Sequence, residues 1–217
     1  MVAFAGGRND QLGARNFQGG TMNVRRLLGA TASILLIALA LTLVLVPGVA
    51  GAGTGPTLSA SAFWQLHDAR HTEVSLQPSR APGEAPVIFV HITQEFCDSR
   101  TNQEVFRGFD AQGPLIALFR MDRDLHTASL AAIVTGHVVD QRLSNCSTPS
   151  GQPTTVDLGK VNVGLLAHWI GIGPIHTVQP GIDARSARAF GFFSGPDLLR
   201  IGLLGSTGVA ELRRSTL

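Results

Sequence analysis

The run from Leu27 to Val46 divides this chain in two. It holds twenty consecutive residues without a charge, directly behind Arg25-Arg26 and ahead of Pro47 and the small residues 48–52. A cationic head, a long apolar middle and a small-residue exit are the parts of an export signal. The arginines favour the cytoplasmic side while the apolar run partitions into the bilayer. Small-x-small cleavage sites occur at Gly48-Val49-Ala50 and Ala50-Gly51-Ala52, and Pro47 ends any helix ahead of them. The alternative is a retained anchor. Twenty helical residues rise roughly 30 Å, the thickness of a hydrocarbon core. Membrane contact is therefore expected only through residues 27–46, if they stay uncleaved.

Arg25-Arg26 lacks the flanks of a twin-arginine signal, and no cysteine closely follows the apolar run. Ordinary secretory export is expected rather than twin-arginine or lipoprotein processing. Residues 1–21 carry two Gly-Gly pairs, whereas Met22 opens a better-formed cationic head. The sequence thus reads as three parts. Residues 1–21 are a disordered extension or lie upstream of the true start, 22–52 are a signal peptide or signal anchor, and 53–217 are an exported domain.

Those last 165 residues suit one domain with a sizeable core. They carry thirteen Lys and Arg against fourteen Asp and Glu, with Lys160 the one lysine. That balance provides no phosphate-tracking surface, so nucleic acid is not an expected partner. The sixteen arginines fit the codon bias of a GC-rich bacterial genome and say nothing of mechanism. Tyrosine is absent and the tryptophans are Trp64 and Trp169, so an aromatic platform would rest on few side chains.

Cys97 and Cys146 both lie in the exported part. A pair in an oxidising compartment is expected to form a disulfide. Closing a loop of about fifty residues would stabilise by roughly 4 kcal/mol on chain-entropy grounds. Two distant cysteines are too few soft ligands for a metal, and their spacing is not that of a redox pair. Asn145-Cys146-Ser147 matches a glycosylation sequon only formally.

Segments of strand length recur between turn signals. Val87–Ile92 follows Pro86, Leu115–Phe119 follows Gly113-Pro114, and Leu130–Val139 contains Gly136 at a suspected bulge. The clearest pattern places Val161, Val163, Leu165, Ala167 and Trp169 on one face, with Lys160, Asn162, Gly164 and His168 between them. A period of two predicts a strand with one buried face. Ala187–Phe193, Leu198–Leu204 and Val209–Leu212 are further strand candidates. Helical signals are few, a turn or two over Ser61–His71 being the main one. Short strands at turn-punctuated intervals predict an all-β fold, an antiparallel β-sandwich of immunoglobulin-like or jelly-roll kind.

The candidate chemistry is thin. His67 and His71 would clamp a metal on a helix, but Asp68 stands where a metalloprotease has glutamate. Asp122 and Asp124 suit a hairpin turn better than a calcium loop, which would continue with another acid and glycine. Ser194 sits in Gly-x-x-Ser-Gly, not the Gly-x-Ser-x-Gly of a nucleophile elbow. His137 and Asp140 are three apart on a strand and point to opposite faces. Seven histidines at 67, 71, 91, 126, 137, 168 and 176 show no gathering spacing. No metal or cofactor site and no catalytic residue is predicted. The expectation is an exported, secreted or cell-envelope, non-enzymatic module that acts by binding or scaffolding. The alternatives are a small secreted hydrolase using Ser194 or a His/Asp pair, and a membrane-anchored ectodomain.

Overall fold

The expected period-two stripe is present: Val163, Leu165, Ala167 and Trp169 are buried while Asn162, His168 and Ile170 face out. The same alternation runs through the rest of the chain, in a computed structural model that describes residues 55–199, 201–204 and 209–216. The parts assigned to 1–21 and 22–52, including the apolar run, lie outside the described residues. The strands are β1 (Thr57–Gln65), β2 (Glu73–Arg80), β3 (Val87–Asp98), β4 (Gln103–Gln112), β5 (Pro114–Met121), β6 (Thr127–Ser144), β7 (Ser150–Gly171), β8 (His176–Gln179), β9 (Ile182–Ser194), β10 (Leu203–Leu204) and β11 (Ala210–Ser215). No helix occurs among the described residues, so Ser61–His71 is the end of β1 and a loop.

Every pairing is antiparallel and all the strands belong to one sheet. An immunoglobulin-like or jelly-roll sandwich would part into two sheets. Here β11 returns to β1, with Ala60 opposite Leu212, and closes a circuit through β2, β3, β4, β6, β7 and β9. The all-β, antiparallel expectation therefore holds, and the pairing is that of a sheet closed on itself. Closure leaves far fewer unpaired edge groups than an open sheet would.

Gly113, at φ 83°, joins β4 to β5. β4 pairs with β6 over 137–144 and β5 pairs with it over 128–134, so the two act as one long strand with a kink. Gly136 faces that kink. A Cβ there would lie 2.3 Å from the Asp110 carbonyl oxygen and 2.6 Å from the Phe109 ring. Gly136 thus serves close approach rather than the suspected bulge, whose irregularities fall at Pro114–Ile116 and at Val138–Val139.

The interior is filled. Trp64, Trp169, Phe109, Phe119 and Phe193 are all buried in one cluster. Trp64 meets the Phe193 ring edge-on at 5.9 Å. Each indole N–H has a carbonyl acceptor, Ala189 for Trp64 at 3.4 Å and Ser61 for Trp169 at 2.9 Å. These long-range bonds remove the penalty of burying the indole nitrogens.

Leu198–Leu204, expected as a strand, is mostly a strap, with only Leu203–Leu204 pairing to β9. Pro196 interrupts the ladder, and the carbonyls of Leu198 and Leu199 accept from side chains across the barrel end. Cys97 and Cys146 form the expected disulfide, with Cα atoms 5.5 Å apart. It ties the end of β3 to the β6–β7 loop, beside the bond from Asn145 N–H to the Asn102 carbonyl.

Two substitutions check this architecture. Cys97→Ser should lower stability by about 2–5 kcal/mol in urea unfolding. Gly136→Ala should cost about 1–3 kcal/mol by overpacking, and an unchanged midpoint would contradict the close contact with Asp110.

Candidate functional site

The polar residues that face inward gather at one end of the barrel. Asp140 continues the buried face of β6 and is fully enclosed. Arg107 of β4 donates to it from Nε at 2.7 Å and from Nη2 at 2.9 Å, and Arg142 Nη2 donates at 3.1 Å. Burial pushes the Asp140 carboxyl upward. The bonds and charge of Arg107, then those of Arg142, outweigh that and hold it below the usual carboxylate range.

Arg107 also donates from Nη1 to the Leu198 carbonyl at 2.8 Å, which Arg70 Nη1 reaches at 2.7 Å. The Phe96 ring lies within 4.9 Å of one guanidinium and 5.1 Å of the other. Buried Gln94 donates to the Leu199 carbonyl at 2.6 Å and to Thr72 Oγ1 at 3.1 Å. The strap is thus held by side chains of the β1–β2 loop, β3 and β4. Asp68 caps that loop by accepting from the N–H groups of Arg70 and Thr72.

This anchored loop walls a hollow on the outer face. The hollow has a volume of about 580 Å³ and is lined by His67, His71 and Glu73 on one side and by Phe106, Gly108 and Gln141 on the other. Gly108 sits opposite Thr93 and Val139 and leaves the floor open, the nearest atom to a Cβ there being 4.0 Å away. A second hollow of about 430 Å³ contains Ser75, His91 and Asp110, and a third of about 310 Å³ contains Ser59, Gln77 and Arg213. The first two share Asp110, and the last two share Gln77 and Phe89. Together they form a shallow trough along the strands.

In its middle, ladder register places Ser75, His91, Asp110 and His137 side by side on β2, β3, β4 and β6. His91 Nδ1 lies 2.6 Å from Asp110 Oδ1. At the loop end, Gln65 Nε2 donates to Glu73 Oε1 at 3.0 Å.

The residues singled out from sequence do not converge on one another. His67 and His71 flank the first hollow but sit on a loop, with His71 at φ 41°, so the helical clamp is not formed. Asp122 accepts from Thr127 Oγ1 at 2.6 Å inside the β5–β6 turn. Ser194 ends β9 opposite Gly164, and no hydrogen bond joins it to a histidine among the described residues. His137 is exposed and Asp140 buried, on opposite faces as the spacing required. Among the described residues no group of three or more His, Cys, Asp or Glu side chains is placed to hold a metal ion.

Phe106, Arg107, Asp110 and Gln141 were not singled out by the sequence reading. Each gains its role from register across strands, and only the alternation of His91 and Thr93 with buried neighbours hinted at an outward polar row. Comparison with protein-family models, with curated proteins and with solved structures finds no match for this chain.

The buried pair makes a pH prediction. The folded Asp140 pKa is depressed, so its stabilisation is full above the unfolded carboxylate range, about pH 4, and fades as pH falls through the folded value. Asp140→Asn should cost about 3–5 kcal/mol at neutral pH by stripping Arg107 of its buried counter-charge. It should also flatten the acid limb of the stability profile. Urea titrations at neutral and acid pH read both, and a variant that keeps the wild-type acid limb would contradict the assignment.

Proposed function

We propose that this protein is an exported, non-enzymatic module that acts by binding, through the outer face of β2, β3, β4 and β6. The observation that carries this reading is the row of adjoining hollows, whose end wall is pinned from behind by the buried Arg107–Asp140 pair. A surface held by a filled, closed sheet is preorganised, so little ordering cost attends binding. Export is supported by the cationic-then-apolar segment up to Val46, and the Cys97–Cys146 bond suits an oxidising compartment. Retention of residues 27–46 would make the same module a membrane-anchored ectodomain.

Gly108→Trp tests this reading, because a Cβ there meets only the Val139 carbonyl oxygen, at 4.0 Å, and points the larger side chain into the hollow. The variant should melt as wild type does and fail to co-sediment with isolated cell envelopes that retain the wild-type protein. Equal retention of both would remove the trough from the function.

The second reading, a small hydrolase, is favoured by the Ser75–His91–Asp110 row. The carboxylate sits on Nδ1, the ring nitrogen that an orienting acid holds in hydrolytic triads. A fluorophosphonate probe should then add its mass at Ser75 in wild type and not in Ser75→Ala or His91→Ala. Intact mass without the adduct would eliminate the enzyme.

A further inference from the structure

We infer that the trough takes a neutral, linear polysaccharide lying along the strands, an inference that rests on the binding reading above. The first reason is the placement of two exposed aromatic rings. Phe106 and Phe89 are 38% and 44% exposed on the same outer face. Phe89 stands opposite Gln112, six residues along β4 from Phe106, so the rings lie about 20 Å apart along the strands. A phenyl face offers an apolar surface to the C–H face of a sugar ring, and two at this distance suit an extended chain better than a compact ligand.

The second reason is the chemistry between and beside the rings. Gln77 and Gln112 amides, the Ser75 hydroxyl and the Gln65–Glu73 pair line the trough. Amides and hydroxyls both donate and accept, as sugar hydroxyls do.

The third reason is charge. The guanidinium that reaches the first hollow, Arg107, is committed to Asp140 and the Leu198 carbonyl, and Arg213 in the third is paired with Glu211. A phosphorylated or acidic ligand would therefore meet cations already satisfied. Of the carboxylates along the first hollow, Glu73 and Asp110 are also hydrogen-bonded, to Gln65 and His91. A cationic ligand would have to compete with those partners and would meet only Glu95 of the same hollow directly, whereas a neutral polyol adds to all of them.

The test is titration of the ¹⁵N-labelled protein with hexasaccharides of glucose, xylose, mannose and N-acetylglucosamine. At least one should shift amides around Phe106 and around Phe89 together, with an affinity unchanged by salt. The matching disaccharide, able to reach one ring, should bind about tenfold more weakly, and Phe106→Ala and Phe89→Ala should each weaken the hexasaccharide about tenfold. Both rings are exposed, so melting curves should stay near wild type and exclude misfolding. Hexasaccharides that leave both regions unmoved overturn the glycan inference. If octalysine then shifts this face in a salt-sensitive manner, the binding reading stands with a cationic ligand. Shifts confined to the outer face of β5, β7 and β9 with either probe overturn both.

Discussion

The bidentate contact between Arg107 and Asp140 organises one whole end of the molecule. A carboxylate buried this deeply would be expelled or neutralised without a paired cation. Once Arg107 is fixed by it, the remaining guanidinium nitrogen faces the Leu198 carbonyl, and the group lies over the Phe96 ring. Arg70 also lies over Phe96 and reaches the same carbonyl. At the start of the strap the Leu198 and Leu199 carbonyls then have side-chain donors in place of ladder hydrogen bonds. Pairs of this kind contribute little net stability relative to a well-packed apolar substitute. Here the arrangement sets the position of the strap and of the loop that walls the trough.

Closure of the sheet separates the two outer surfaces in character. One side carries the trough with its hydroxyls, amides and paired charges. On the other, ladder register lines up Leu118, Ala131, Leu166 and Phe192 across β5, β6, β7 and β9, with Phe190 exposed beside them. A single core supports both, since the inward alternation on most strands is occupied by aliphatic and aromatic groups, with Gln94, Arg107 and Asp140 at one end. β6 is long enough to serve both surfaces, pairing with β4 and with β5, and Gly136 is where it lets the Asp110 carbonyl and the Phe109 ring come close.

Much of the strand content was legible because it follows from short-range pattern. Val163 to Trp169 alternates cleanly, Val87–Ile92 is dense in β-formers, and two cysteines have one pairing available. Closure was not legible. It depends on β1 and β11, whose buried faces are built largely of alanines at 60, 62 and 210, a weak signal in any hydrophobic period. Leu198–Leu204 misled because Leu199 is buried from a strap rather than from a ladder. The trough was invisible for a different reason. Ser75, His91 and Asp110 are sixteen and nineteen residues apart in the chain, and only cross-strand register makes them neighbours.

The central claim is that the polar outer face of β2, β3, β4 and β6, rather than the apolar one, meets the partner in the envelope. Hydroxyl-radical footprinting of the protein, free and seated on isolated cell envelope, tests it most directly because both faces carry oxidisable aromatic rings. The account predicts that oxidation of Phe89 and Phe106 falls sharply on binding while that of Phe190 does not change. Protection of Phe190 with Phe89 and Phe106 still fully oxidised would contradict it.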